Sequence, residues 1–143
     1  MKKAFTMIEL VFVIVVIGIL SAIAIPKFAA TRDDALISRG KSTLSSVRNA
    51  IATERQKRVL RGDFNAITDL SSTDSGSKIF TTFSADKKGK KNPVLEYPLK
   101  NGTTPGYWSK ANEIYTFHYY DSGKCDFNLS SNKLSGDCSV FGD

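Results

Sequence analysis

From Thr6 to Ile25 the chain is apolar except for small or hydroxylated residues and a single charge, Glu9. At about 1.5 Å per residue these roughly 20 positions make a helix of about 30 Å, the thickness of a hydrocarbon core. Lys2 and Lys3 precede the run with no acid beside them, which predicts a cytoplasmic N-terminus and export of everything after Pro26. Beyond Pro26 the period becomes amphipathic. Ala30, Ile37, Leu44, Val47 and Ile51 fall on one stripe at spacings built from threes and fours, while Arg32, Asp33, Lys41, Arg48 and Arg55 face elsewhere. Arg58 and Arg61 followed by Gly62 make a basic last turn and a glycine stop, so the helix should end near Arg61. Pro26 has no N–H and opposes the carbonyl of Ala22, which predicts a kink there.

The rest of the chain shifts to short strands and turns. Residues 62–77 are rich in Gly, Ser, Thr, Asp and Asn and read as a loop. Strand signals follow at Lys78–Phe83 and Val94–Leu99 and are strongest at Asn112–Asp121. In that last stretch Ile114, Thr116, His118 and Tyr120 alternate with Tyr115, Phe117 and Tyr119, and the aromatic face should pack on the helix. The segment from Cys125 to Cys138 predicts a hairpin. Centring its turn on Ser131 and Asn132 pairs Leu129 with Leu134, Phe127 with Gly136 and Cys125 with Cys138. The cysteines then meet at a non-hydrogen-bonded position about 4.5 Å apart at Cα, which suits a disulfide. The expected class is α+β. One long N-terminal helix, spanning at 5–25 and amphipathic at 26–61, packs against a small antiparallel head at 62–143 that is closed by the Cys125–Cys138 hairpin.

Charge changes this picture little. The 143 residues carry a formal +6, which permits contact with nucleic acid or anionic surfaces without demanding it. The basic segment Asp86–Pro93 reads as a solvated, turn-rich loop more readily than as a DNA or phosphate contact, because no aromatic residue is interleaved with its lysines. Two cysteines in an exported segment point to a disulfide rather than to a metal.

Glu9 is the position that needs explaining, since a carboxylate near the middle of a spanning helix costs about 2.5–3.5 kcal/mol. Two readings leave it without a partner. In a secretory signal peptide, Ala22-Ile23-Ala24 would be the cleavage site, but the apolar run is longer than usual and contains an acid. In a plain membrane anchor, Glu9 would snorkel to the nearby interface. A third reading comes from likeness. The stretch KKAFTMIELVFVIVVIGILSAIAIPKF, with its basic leader, Phe5, the Met7–Leu10 tetrad, Gly18 and Pro26, resembles the N-terminus of type IV pilins and of type II secretion pseudopilins. The resemblance implies cleavage between Ala4 and Phe5 by a prepilin peptidase, N-methylation of Phe5, and assembly at an inner-membrane platform into a homo- or heteropolymer. Ala4 departs from the Gly usual before the cut. Cleavage would free a Phe5 amine with a pKa of about 7.7–8.0, a cation at membrane depth that Glu9 of the same or a neighbouring subunit could neutralise. The family also implies that the Gly18–Pro26 stretch unwinds within a fibre.

The function expected is therefore mechanical: a single-pass inner-membrane subunit with a periplasmic head, polymerising into a type IV pilus or a secretion pseudopilus. The alternative from another class is a non-polymerising membrane-anchored binding module, for example in DNA uptake. An enzyme is not expected, since His118 is the only histidine and no nucleophile, phosphate-loop or metal motif is present. No cofactor is expected either, although Asp121, Asp126, Asp137 and Asp143 could collect a calcium ion if the chain followed the major pseudopilins.

Overall fold

The computed structural model describes residues 5–71, 76–120 and 122–142. Ala4, Asp121 and Asp143 lie outside them. One helix, α1 (Met7–Leu60), carries the N-terminal part of the chain and continues unbroken through Gly18 and Pro26. By compactness the chain divides into two units, Met1–Ala35 and Leu36–Asp143.

In the second unit the expected stripe is buried: Leu44, Val47 and Ile51 lie in the core. The stripe then continues at the same three-and-four spacing through Glu54 and Arg58, both buried. Arg58, read from the sequence as part of the basic last turn, lies inside. Its carbonyl accepts the amides of Arg61 and Asp63, and Gly62 takes the left-handed conformation (φ 72°) that ends the helix.

Two antiparallel sheets complete this unit. β1 (Lys78–Ile79) pairs with β2 (Leu99–Lys100), and β3 (Trp108–Ala111), β4 (Ile114–His118), β5 (Lys124–Ser130) and β6 (Lys133–Asp137) form a meander in that spatial order. β1 keeps only the first two residues of the expected Lys78–Phe83 strand, and β2 meets the expected Val94–Leu99 strand only at Leu99. Phe80 sits at φ 58°, which turns the chain out of the ladder, and Pro93 and Pro98 supply no amide to extend the second. β3 was not foreseen. Its inward positions are Trp108 and Lys110, and a lysine facing inward hides the alternation that marks a strand.

The C-terminal hairpin has the expected register, with Ser130 opposite Lys133, Leu129 opposite Leu134 and Phe127 opposite Gly136. Ser131 and Asn132 both have positive φ, 51° and 63°, the signature of a type I′ turn that matches the strand twist. Cys125 and Cys138 are joined by a disulfide at a Cα separation of 5.3 Å. That is wider than the 4.5 Å expected, because Cys138 lies one residue beyond the end of β6, where the ladder no longer holds the strands together.

Aromatic packing builds the core. The Trp108 ring lies 5.4 Å from Phe80, 5.2 Å from Phe117 and 5.6 Å from Phe127. Phe117 reaches the helix at Gly40, where an added Cβ would come within 2.6 Å of its ring and 2.7 Å of Phe141. The inward face of β4 therefore packs on the helix as the alternation predicted, and glycine at position 40 makes the notch that lets it approach.

Candidate functional site

In the first unit none of the described side chains from Phe5 to Ile25 is buried, and among its large apolar residues exposure is 37% even at Val16 and reaches 80% at Met7. This length of apolar helix is stable only where something other than water covers it. By length and composition it suffices to cross a bilayer.

Glu9 has a local role that the spacing analysis missed. Thr6 is the N-cap of α1 and Glu9 its third residue. The Thr6 hydroxyl donates to Glu9 Oε2 at 3.1 Å, the Thr6 amide reaches the same oxygen at 3.3 Å, and the Glu9 amide donates back to Thr6 Oγ1 at 3.3 Å. This is a capping box, and its sequence signal, Thr-x-x-Glu before an apolar run, was present at Thr6–Glu9. The carboxylate satisfies helix donors that lipid could not. In the uncleaved chain the Phe5 nitrogen is an amide, so any charge pair between Phe5 and Glu9 belongs to the processed chain.

A second concentration of charge lies at the other end of α1. Arg58 Nε donates to Glu54 Oε1 at 3.0 Å with both side chains buried, and Arg58 Nη2 donates to the Ser84 carbonyl. Asn92 Nδ2 donates to both Glu54 oxygens, at 3.0 and 3.1 Å. Arg61 bridges Glu54 at 3.9 Å and Asp86 at 3.5 Å. The basic segment, expected as a solvated, turn-rich loop, does expose its lysines, while its backbone is tied down by two carboxylates. Asp86 Oδ1 accepts the amides of Lys88 and Lys90 at 2.9 and 2.8 Å, and Asp63 Oδ2 accepts that of Lys87 at 2.8 Å. These amide bonds hold both carboxyls below the usual aspartate range, led by the Lys87 amide for Asp63 and the Lys90 amide for Asp86.

Elsewhere the head shows polar pairs of a structural kind. Burial pushes Asp69 up, but bonds from Lys110 Nζ at 2.6 Å, the Ser71 amide and the Tyr115 hydroxyl outweigh it and hold the carboxyl low. Burial pushes the Tyr115 hydroxyl up, and the same oxygen accepts the Leu70 amide. His118 Nε2 lies 2.8 Å from Ser109 Oγ on the outer face of the sheet, and burial pushes its pKa down. Of the acids considered for calcium, Asp126 and Asp137 are cross-strand partners, and Asp126 accepts the Thr116 hydroxyl at 2.6 Å. Among the described residues no three potential metal ligands come together.

Residues 1–25 match the family described as the prokaryotic N-terminal methylation motif. The chain is 50% identical over 50 residues to the type IV narrow pilus major component PilA5 of Thermus thermophilus, a match covering 35% of this chain and 43% of that protein. It is 43% identical over 53 residues to the type IV major fimbrial protein FimA of Dichelobacter nodosus, covering 37% and 34% respectively. The chain thus spans less than half the length of the curated relatives it matches. No solved structure matches it. Its N-terminal segment thus carries the methylation motif and is similar to the corresponding part of these type IV pilus components.

Proposed function

We propose that the protein is a pilin-like structural subunit, cleaved between Ala4 and Phe5, methylated at Phe5, held in the inner membrane by residues 5–25 and polymerised into a type IV pilus. The observation that carries this reading is the exposed apolar helix from Met7 to Ile25 with its one carboxylate. Such a surface needs a bilayer before assembly and the apolar core of a fibre afterwards. The names of its relatives, both major components of type IV structures, favour a pilus; a secretion pseudopilus would use the same geometry.

The mechanism follows from charge balance. Cleavage converts the Phe5 amide to an amine, mostly cationic at neutral pH. In a subunit entering the fibre, that amine sits at membrane depth and is neutralised by Glu9 of a neighbour. A contact of this kind, donor on one copy and acceptor on the next, does not close on itself and builds an open helix. The stretch from Gly18 to Pro26, helical here, would open in the fibre, since Pro26 leaves the Ala22 carbonyl without its helix donor. Force would come from a cytoplasmic ATPase acting through the assembly platform.

Shearing of surface fibres followed by intact-mass measurement tests the reading. Fibres should contain a chain beginning at N-methylated Phe5. A membrane-retained chain beginning at Met1, or a soluble chain beginning at Ile25, would refute it.

A further inference from the structure

The chain's positive charge is concentrated in one place. Residues 54–63 and 86–92 together hold eight cations and three carboxylates, a formal +5 in a protein whose total is +6. The two segments are far apart in sequence, yet they line opposite sides of one open groove of about 640 Å³, with Lys57, Leu60 and Arg61 from the helix facing Lys90 and Asn92 from the loop.

All three carboxylates turn inward. Glu54 is spent on Arg58 and Asn92, and Asp63 and Asp86 on backbone amides, so each is buried and occupied. The outer cations are left uncompensated: Lys57, Lys88 and Lys90 are exposed and have no ion-pair partner among the described residues. The loop that carries two of them is also fixed in shape. Besides the two bonds to its carboxylate, the Asp86 amide donates to the Lys90 carbonyl at 2.9 Å, the Gly89 amide donates to the Asp86 carbonyl at 2.8 Å, and Gly89 adopts φ 76° to close the turn. The lysines are therefore presented on a rigid frame, and little ordering entropy is lost when they meet a ligand.

We infer that this groove binds the phosphate backbone of double-stranded nucleic acid without regard to sequence. Cations on both banks of a concavity whose one aromatic lining residue, Phe83, is buried in the core and offers no open face to a base suit a ridge of phosphates on a duplex. They suit a flat sheet of lipid headgroups less well, because a plane meets one bank at a time. The inference is independent of whether the chain polymerises, and its test uses unassembled protein.

The test is fluorescence anisotropy of a labelled random duplex of about 30 base pairs, titrated with the full chain in phosphatidylcholine nanodiscs across salt from about 50 to 200 mM. Contacts from Lys57, Arg61, Lys88 and Lys90 predict a slope of log affinity against log salt between about −3 and −4, a loss of about 100-fold over that range. Replacing Lys57, Lys88 and Lys90 together by Ala should bring the slope to about −1 and weaken binding more than about tenfold at low salt. The control removes equal charge from exposed lysines elsewhere, Lys41→Ala, Lys100→Ala and Lys133→Ala, and should bind like the parent within about twofold. Equal losses in the two triple variants, no binding at low salt, or displacement of the duplex by phosphatidylglycerol vesicles at equal phosphate would each overturn the inference.

Discussion

Removing Glu54 should strip the head of more stability than any exposed ion pair could supply. The carboxylate holds the buried Arg58 guanidinium at 3.0 Å and both contacts to the Asn92 amide, and it is the only acid bonded to Arg58 among the described residues. In Glu54→Gln the side chain keeps its shape but offers one acceptor and one donor. Whichever way the amide turns, a donor faces Arg58 or Asn92, and the fully buried guanidinium loses its one bonded carboxylate, keeping only the more distant charges of Asp63 and Asp86. Breaking a buried pair from one side costs about 3–5 kcal/mol. With a urea slope of about 1.5 kcal/mol per molar, a loss of about 4 kcal/mol lowers the midpoint by between 2 and 3 M. Trp108 is the only tryptophan and lies in the aromatic core, so its fluorescence in urea, on the full chain in nonionic detergent, reports the head alone. The paired variant Glu54→Leu with Arg58→Met replaces both charges by apolar groups. It should recover most of the loss, leaving roughly 1–3 kcal/mol for the orphaned Asn92 amide and Ser84 carbonyl. A cost below about 1 kcal/mol for Glu54→Gln, or a paired variant as unstable as the sum of the two single ones, would refute the reasoning.

Reduction of the disulfide, or Cys125→Ser with Cys138→Ser, should cost about 3 kcal/mol for a closed loop of this length, read from the same Trp108 transition; an unchanged midpoint would mean that the hairpin register alone holds the C-terminal strands. Acid should loosen the basic loop. The folded pKa values of Asp63, Asp69 and Asp86 lie below their ordinary 3.8, so their contribution is fully present above that value and is lost as pH falls through the lowered ones. The urea midpoint should fall as pH drops below about 4, and less steeply in Asp86→Asn; a flat midpoint there would contradict the assignment.

Periodicity was informative wherever one side chain type alternated against another. The stripe Leu44, Val47, Ile51, the inward Tyr115 and Phe117, and the Ser131–Asn132 turn could all be read from spacing, because apolar burial and turn length decide them locally. It failed where polar residues are buried. Glu54 and Arg58 continue the helix stripe, and Lys110 takes an inward strand position, yet each is a charged letter that pattern analysis assigns to solvent; only the partners, Asn92, Ser84 and Asp69, explain them, and these are distant in sequence. The frame of the Asp86–Lys90 turn was hidden for the same reason, since its ties to Asp63 and Arg61 cross from another segment. At the N-terminus the opposite happened. Thr6 and Glu9 carry a readable local signal, Thr-x-x-Glu before an apolar run, that a charge in a spanning helix masks.

The capping role of Glu9 and its proposed role in assembly separate cleanly by chemistry. Capping the helix needs an acceptor oxygen, which an amide also supplies, whereas neutralising a neighbour's Phe5 amine needs a negative charge. The direct test is Glu9→Gln, scored by shear-release of fibres together with the mass of the membrane-bound chain. The account predicts a chain that is inserted, processed to Phe5, folded with its Cys125–Cys138 bond intact, and absent from sheared fibres. Normal fibres from Glu9→Gln, with processing unchanged, would contradict it.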